Sequence, residues 1–238
     1  MTTPTALLLT GSGRYADPWH PFAETSAAVA SLLQSAGLAV EVADDVDTAL
    51  AGLATSQPGP DLLVVNVGLP RDGGASPGTA AATRGLEAWS AGGRPLLAFH
   101  VSSTSFVDTP VWEEALGGSW VRGTTMHPDY GPAQVLIDPH SGPLAEGIPD
   151  FEVLDERYSW LRTLPGITVH ARHRHEGTLH PLVWSYTRDV RGGGRGGRTF
   201  YDALGHDSAS FDSPEHRDLL SRGIRWLLEG GPEEPDLS

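Results

Sequence analysis

Three short runs of uninterrupted apolar residues constrain this chain more than anything else in it. They are Ala6–Thr10 (ALLLT), Asp61–Gly68 (DLLVVNVG) and Pro95–Phe99 (PLLAF). A strand with one wet face alternates apolar and polar residues, whereas a run without alternation is the pattern of a strand buried on both faces. Between the runs lie segments of helical spacing at Ala23–Ala36, stopped by Gly37, then Val46–Ala54 and Ala80–Ser90, with a further strand at Ala39–Val42. Strands separated by single helices require crossover connections. The first half therefore predicts a three-layer α/β architecture around a doubly wound, mostly parallel sheet.

The second half is richer in β signal. Strands are expected at Ser119–Gly123, Ala133–Ile137, Phe151–Leu154, Ile167–His173, Leu182–Tyr186 and Thr199–Leu204. The last two flank TRDVRGGGRGGR, whose glycines and arginines read as an exposed, mobile hairpin tip. A closing helix is expected over Pro214–Leu228, with Leu219, Leu220, Ile224, Leu227 and Leu228 at helical spacing. No linker divides the chain, so residues 1–230 read as one domain and 231–238 as a disordered tail.

Composition then removes whole classes of chemistry. A net charge of −14 offers no surface to a polyanion, which argues against nucleic acid or an anionic membrane as partner. The basic residues are all Arg, so Schiff-base lysine and the phosphate-binding lysine of a P-loop are absent. There are no cysteines, hence no disulfide, thiolate metal site or Cys nucleophile. The opening MTTPTALLLTGSG reads as a first strand, not a signal peptide, and no apolar run nears the roughly 20 residues that span a bilayer. A cytoplasmic location is expected.

Open α/β sheets bind ligands outside the carboxyl ends of their strands. The residues to interrogate are thus Gly11–Gly13, Asn66–Gly68 and His100–Ser103, with His127, Asp155, Glu156, Tyr158, His206 and Asp207 downstream. His100 stands in the strand-end turn where many α/β enzymes present a nucleophile. An imidazole there can be a general base, a metal ligand, or a buried ring bonded to a backbone carbonyl. Ser102, Ser103 and Ser105 can meet a substrate or cap a helix start. Gly11-Ser12-Gly13 lacks the third glycine and the acidic residue of a dinucleotide site, so no nucleotide cofactor is expected. HARHRHEGTLH carries His170, His173, His175 and His180; His173 and His175 share a strand face at a spacing metal sites use, or the segment is a polar edge hairpin. The acids of LDERY can equally be a solvated rim.

Five fragments in order add a resemblance. GGRPLLAFHVSST, ALGGSWVRGTTMHP, DPHSGPLAEGIPDFEVLDERY, PLVWSY and GRTFYDALGHD resemble, in order and spacing, the trehalose-utilisation (ThuA-like) family. That family is similar in fold to the class I glutamine amidotransferases, and the match runs from GSGRYADPWHPF to the closing helix. Amidotransferases of this fold place a Cys in the turn that here holds His100, so the resemblance implies that glutaminase activity is lost. It also implies a polar cluster of His20, His100, His127, Glu156 and His206 and a link to disaccharides and oxidised keto-sugars. The chain departs from the family pattern at Trp19-His20, where a clean run of histidines is missing, and at Arg157, where an apolar residue is usual.

On that basis His100, His127, Glu156 and His206 are the expected catalytic groups, and His20, His100, His127 and His206 the expected ligands of Zn²⁺ or another divalent metal. Trp19, Ser102, Ser103, Tyr158 and Asp207 are expected to meet the sugar, with Trp160 a further flat face. Metal-free acid–base isomerisation of a keto-sugar, or sugar binding without turnover, are the alternatives. A homodimer is expected to cover the apolar edge that such sheets leave.

Overall fold

The computed structural model describes residues 2–56, 58–188 and 196–229. In chain order the elements are β1 (Thr5–Thr10), α1 (Phe22–Ser35), β2 (Ala39–Ala43), α2 (Val46–Gly52), β3 (Leu62–Asn66), α3 (Ala80–Ala91), β4 (Leu96–Phe99) and α4 (Pro110–Leu116). They continue with β5 (Gly118–Ser119), β6 (Gly131–Ile137), β7 (Phe151–Asp155), β8 (Arg162–Thr163), β9 (Thr168–His175), β10 (Thr178–Arg188), β11 (Gly197–Asp202) and α5 (Pro214–Leu228). Most of the expected hairpin tip and the expected disordered tail lie outside the described residues.

The main sheet has nine strands in the order β2-β1-β3-β4-β11-β10-β9-β6-β7. From β2 to β11 every neighbour is parallel, and from β11 to β7 every neighbour is antiparallel. The three apolar runs are the interior of the parallel half: all residues of β3 and β4 are buried, as are Leu7, Leu8 and Leu9. Helices α1 and α5 pack on each other, while α2, α3 and α4 pack in series, so the two groups cover opposite faces. Gly85 of α3 makes one of these contacts possible, since a Cβ there would overlap the Leu50 carbonyl oxygen of α2.

Local chemistry sets the helix ends. Asp45 and Thr79 accept the Thr48 and Ala82 N–H groups at the starts of α2 and α3, and Ser213 accepts the His216 N–H at the start of α5. Helix α4 has no counterpart among the sequence expectations; it is seven residues long, begins with Pro110 and is closed by left-handed Gly117. The strand expected over Ser119–Gly123 shrinks to the two residues of β5, because the Val121 N–H bonds the Thr125 hydroxyl instead of a neighbouring strand. No helix among the described residues is long and apolar enough to cross a membrane.

Candidate metal centre

His100 opens a 3-10 turn directly after β4, with φ at 41°. A non-glycine residue in this left-handed region costs on the order of 1–3 kcal/mol and persists only where its surroundings hold it. Here they do. Its Nδ1 donates to the Ala203 carbonyl at 2.7 Å, its own carbonyl accepts the Tyr201 hydroxyl at 2.7 Å, and Tyr158 stacks on its ring at 4.3 Å. With Nδ1 carrying the proton, Nε2 is left with a free lone pair.

His20 is held the same way from the loop after β1. Its Nδ1 donates to the Asp17 carboxylate, 2.8 Å from each oxygen, and Asp17 also accepts the Trp19 and His20 N–H groups. Its Nε2 is therefore free too. His206 comes from the turn after β11, where left-handed Gly205 (φ 109°) lets the chain double back beside His100. Glu156 follows β7, whose end is bent over this turn.

The four groups converge. One ligand atom each from His20, His100, Glu156 and His206 lies within 4.8 Å of the other three. Glu156 Oε2 is 3.5 Å from His100 Nε2 and 3.3 Å from His206 Nδ1, distances too long for good hydrogen bonds. His20 Nε2, His100 Nε2 and His206 Nδ1 are buried without any hydrogen-bond partner. Burial alone would raise the Glu156 carboxyl, but the His100 and His206 rings outweigh it and hold the group well below the ordinary carboxylate range. Burial pushes His20 down, against its Asp17 bond. Burial also lowers His206, yet the Glu156 carboxylate overcomes this and the balance lies upward.

Three imidazole lone pairs and one carboxylate oxygen are a donor set that suits Zn²⁺ and its neighbours in the first transition row. Two of the rings are oriented through their other nitrogen by a carboxylate or a carbonyl, which is how proteins fix metal-binding histidines. The cluster could hold a metal ion. His127, expected among the ligands, is not one of the four: its Nδ1 lies 3.5 Å from the other oxygen, Glu156 Oε1, and 3.0 Å from the Pro128 carbonyl, and its side chain is 37% exposed. Glu156 takes the fourth place.

The remaining expected residues are distributed unevenly. Tyr158 is in the site, but as a buried plate against His100. Trp19 is exposed with the Arg71 guanidinium over its ring at 4.4 Å. Asp207 caps the next 3-10 turn through the Ala209 N–H. Ser102 and Ser103 are put to another use: Ser102 is buried between the Val65 carbonyl and the Val67 N–H, and Ser103 donates to the His100 carbonyl. Trp160 stands over His180 at 4.6 Å. Among the described residues, the four histidines of HARHRHEGTLH do not form a comparable group. His170 contacts the Ser185 hydroxyl, His173 donates to the Tyr158 carbonyl, and His180 accepts the Trp160 N–H. Asp155, read as a possible solvated rim, is fully buried. Asp17 and Tyr130, whose ring lies 5.3 Å from His206, belong to the site and were not anticipated; the i,i+3 spacing of Asp17 and His20 is the one available signal.

The family model described as "Trehalose utilisation" (ThuA) matches residues 7–227. Among solved structures, a ThuA-like protein of Parabacteroides merdae is 17% identical, with 99% of this chain and 94% of that chain covered and a TM-score of 0.72. A ThuA-like protein of Bacteroides uniformis is also 17% identical, with coverages of 95% and 93% and a TM-score of 0.71. A glutamine amidotransferase of Thermotoga maritima, 10% identical over 96% of this chain and all (100%) of that one, has a TM-score of 0.58 and shares the fold. No curated protein matches. The family match spans nearly the whole chain, and the neighbours carry the same architecture: the protein belongs to the trehalose-utilisation (ThuA) family.

Proposed function

We propose that His20, His100, Glu156 and His206 bind a divalent cation of the Zn²⁺ type, and that the protein converts a disaccharide or keto-sugar beside it. The observation that carries this reading is the convergence of three buried, unpartnered imidazole nitrogens on one carboxylate. Leaving such polar atoms unsatisfied costs about 1–3 kcal/mol each, which a bound cation would offset. When bound, the metal supplies Lewis acidity toward a sugar carbonyl or a water. The family's link to trehalose utilisation supports a sugar as substrate.

The chain's own residues divide the remaining work. Glu156 presents Oε2 inward to His100 and His206 and Oε1 outward to His127. His127, partly exposed, is placed to pass a proton between Glu156 Oε1 and solvent or substrate. Tyr158 and the Tyr201 hydroxyl keep His100 in its turn. The test incubates Zn²⁺-loaded protein with trehalose-type disaccharides and their keto derivatives and follows them by proton NMR. Conversion is expected in the parent and lost in His127→Gln, which keeps its metal. Saturable sugar binding with no conversion by the parent would show a binding protein instead.

A further inference from the structure

We propose that Asp155 is a positioning residue that sets the Glu156–His206 separation, and with it the shape of the metal centre; this rests on the metal reading above. Asp155 ends β7 and is fully buried. Its Oδ1 accepts the Glu156 N–H at 2.7 Å and the His206 N–H at 3.2 Å, and its Oδ2 accepts the Gly205 N–H at 2.7 Å. One carboxylate thus grips the backbone of two cluster residues that arrive from segments 50 positions apart.

The rest of the turn after β11 is anchored in other directions. Asp202 accepts the Leu204 N–H at 2.9 Å and pairs with buried His216 at 2.6 Å, and the Ala203 carbonyl accepts from His100. These bonds fix the turn to β11, α5 and β4. Among the described residues, the hydrogen bonds that tie it to β7 are those of Asp155. Three N–H donors need a group that only accepts, and a carboxylate offers about four lone-pair sites for them. An amide of the same volume keeps one oxygen and turns an NH₂ on N–H donors, so Asp155→Asn opens the clasp without leaving a cavity.

The test titrates Co²⁺ into the full-length parent, Asp155→Asn and Asp202→Asn, following visible absorption, thermal unfolding and amide hydrogen exchange at Gly205 and His206. Asp155→Asn is expected to bind Co²⁺ about 10- to 100-fold more weakly, as loss of an outer orienting group does. Its d–d bands should shift in position, its Gly205 and His206 amides should exchange faster, and it should melt no lower than Asp202→Asn. Parent-like affinity and bands in Asp155→Asn would overturn the proposal, as would an affinity loss that merely follows the loss of melting temperature across both variants. If the parent itself develops no Co²⁺ bands, the metal reading falls. Amide exchange then decides the clasp, and unchanged protection in Asp155→Asn rules it out. Should Asp155→Asn not fold, Asp155→Ser is read by the same measurements.

Discussion

His20, His100 and His206 each expose one unpartnered ring nitrogen to a common point, and in two of them the opposite nitrogen is already engaged. That division of labour makes the outer partner of each ring testable. Asp17 bonds His20 Nδ1 and also receives the Trp19 and His20 N–H groups, so it fixes both the tautomer and the loop. Asp17→Asn is expected to weaken Zn²⁺ binding about 10- to 100-fold while His206 and Glu156 stay in place. Titration calorimetry checks this, and an unchanged dissociation constant would show that the ring needs no such support. At this scale the four cluster residues were legible, because strand ends in an α/β sheet are where ligands bind and because the quoted fragments follow a family pattern. Their carboxylate partners were not. Asp155 acts through backbone N–H groups of a turn about 50 residues away, which no spacing rule in a sequence announces, and Asp17 left only its i,i+3 spacing to His20 as a signal. His127, expected as a ligand, lies beside the other Glu156 oxygen, Oε1, and a sequence does not tell which of two carboxylate oxygens a ring will face.

Strand β9 supplies a second kind of histidine. His170 and His173 are buried there, and burial pushes each down to about 4. In the unfolded chain both return to about 6.5. Between those values the unfolded state binds more protons than the folded one, so stability rises with pH through this window and is level above it. Acidification from pH 7 to 5 should therefore cost stability, at a slope approaching about 1.4 kcal/mol per pH unit for each histidine. Urea unfolding of the parent and of His170→Gln at both values isolates one of them. The variant should lose less stability than the parent on acidification, and identical losses would show that His170 is not held neutral. The elements themselves were readable to within a few residues wherever burial on both faces or a long apolar helix face wrote a pattern, as in β3, β4 and α5. They were not where an element is short. Helix α4 and strands β5 and β8 are set by Pro110, Gly117 and tertiary pairing, with too few residues for a period to show.

On the scale of the whole molecule, the change from parallel to antiparallel pairing at β11 is what builds the site. The parallel half delivers His20, His100 and His206 at the carboxyl ends of β1, β4 and β11, as a doubly wound sheet must. Glu156 comes from β7, at the far end of the sheet order, and reaches the others because the β6–β7 hairpin bends over the turn after β11. His100 stands in the turn that follows the central strand β4, so the carboxyl end of that strand presents an unpartnered ring nitrogen to the cluster.

The most direct measurement is anomalous diffraction at the zinc edge from crystals grown with one equivalent of Zn²⁺. A single peak in bonding reach of His20 Nε2, His100 Nε2, His206 Nδ1 and Glu156 is the expected result. No peak there, or occupancy instead beside His173 and His180 on the β9–β10 hairpin, would contradict the account.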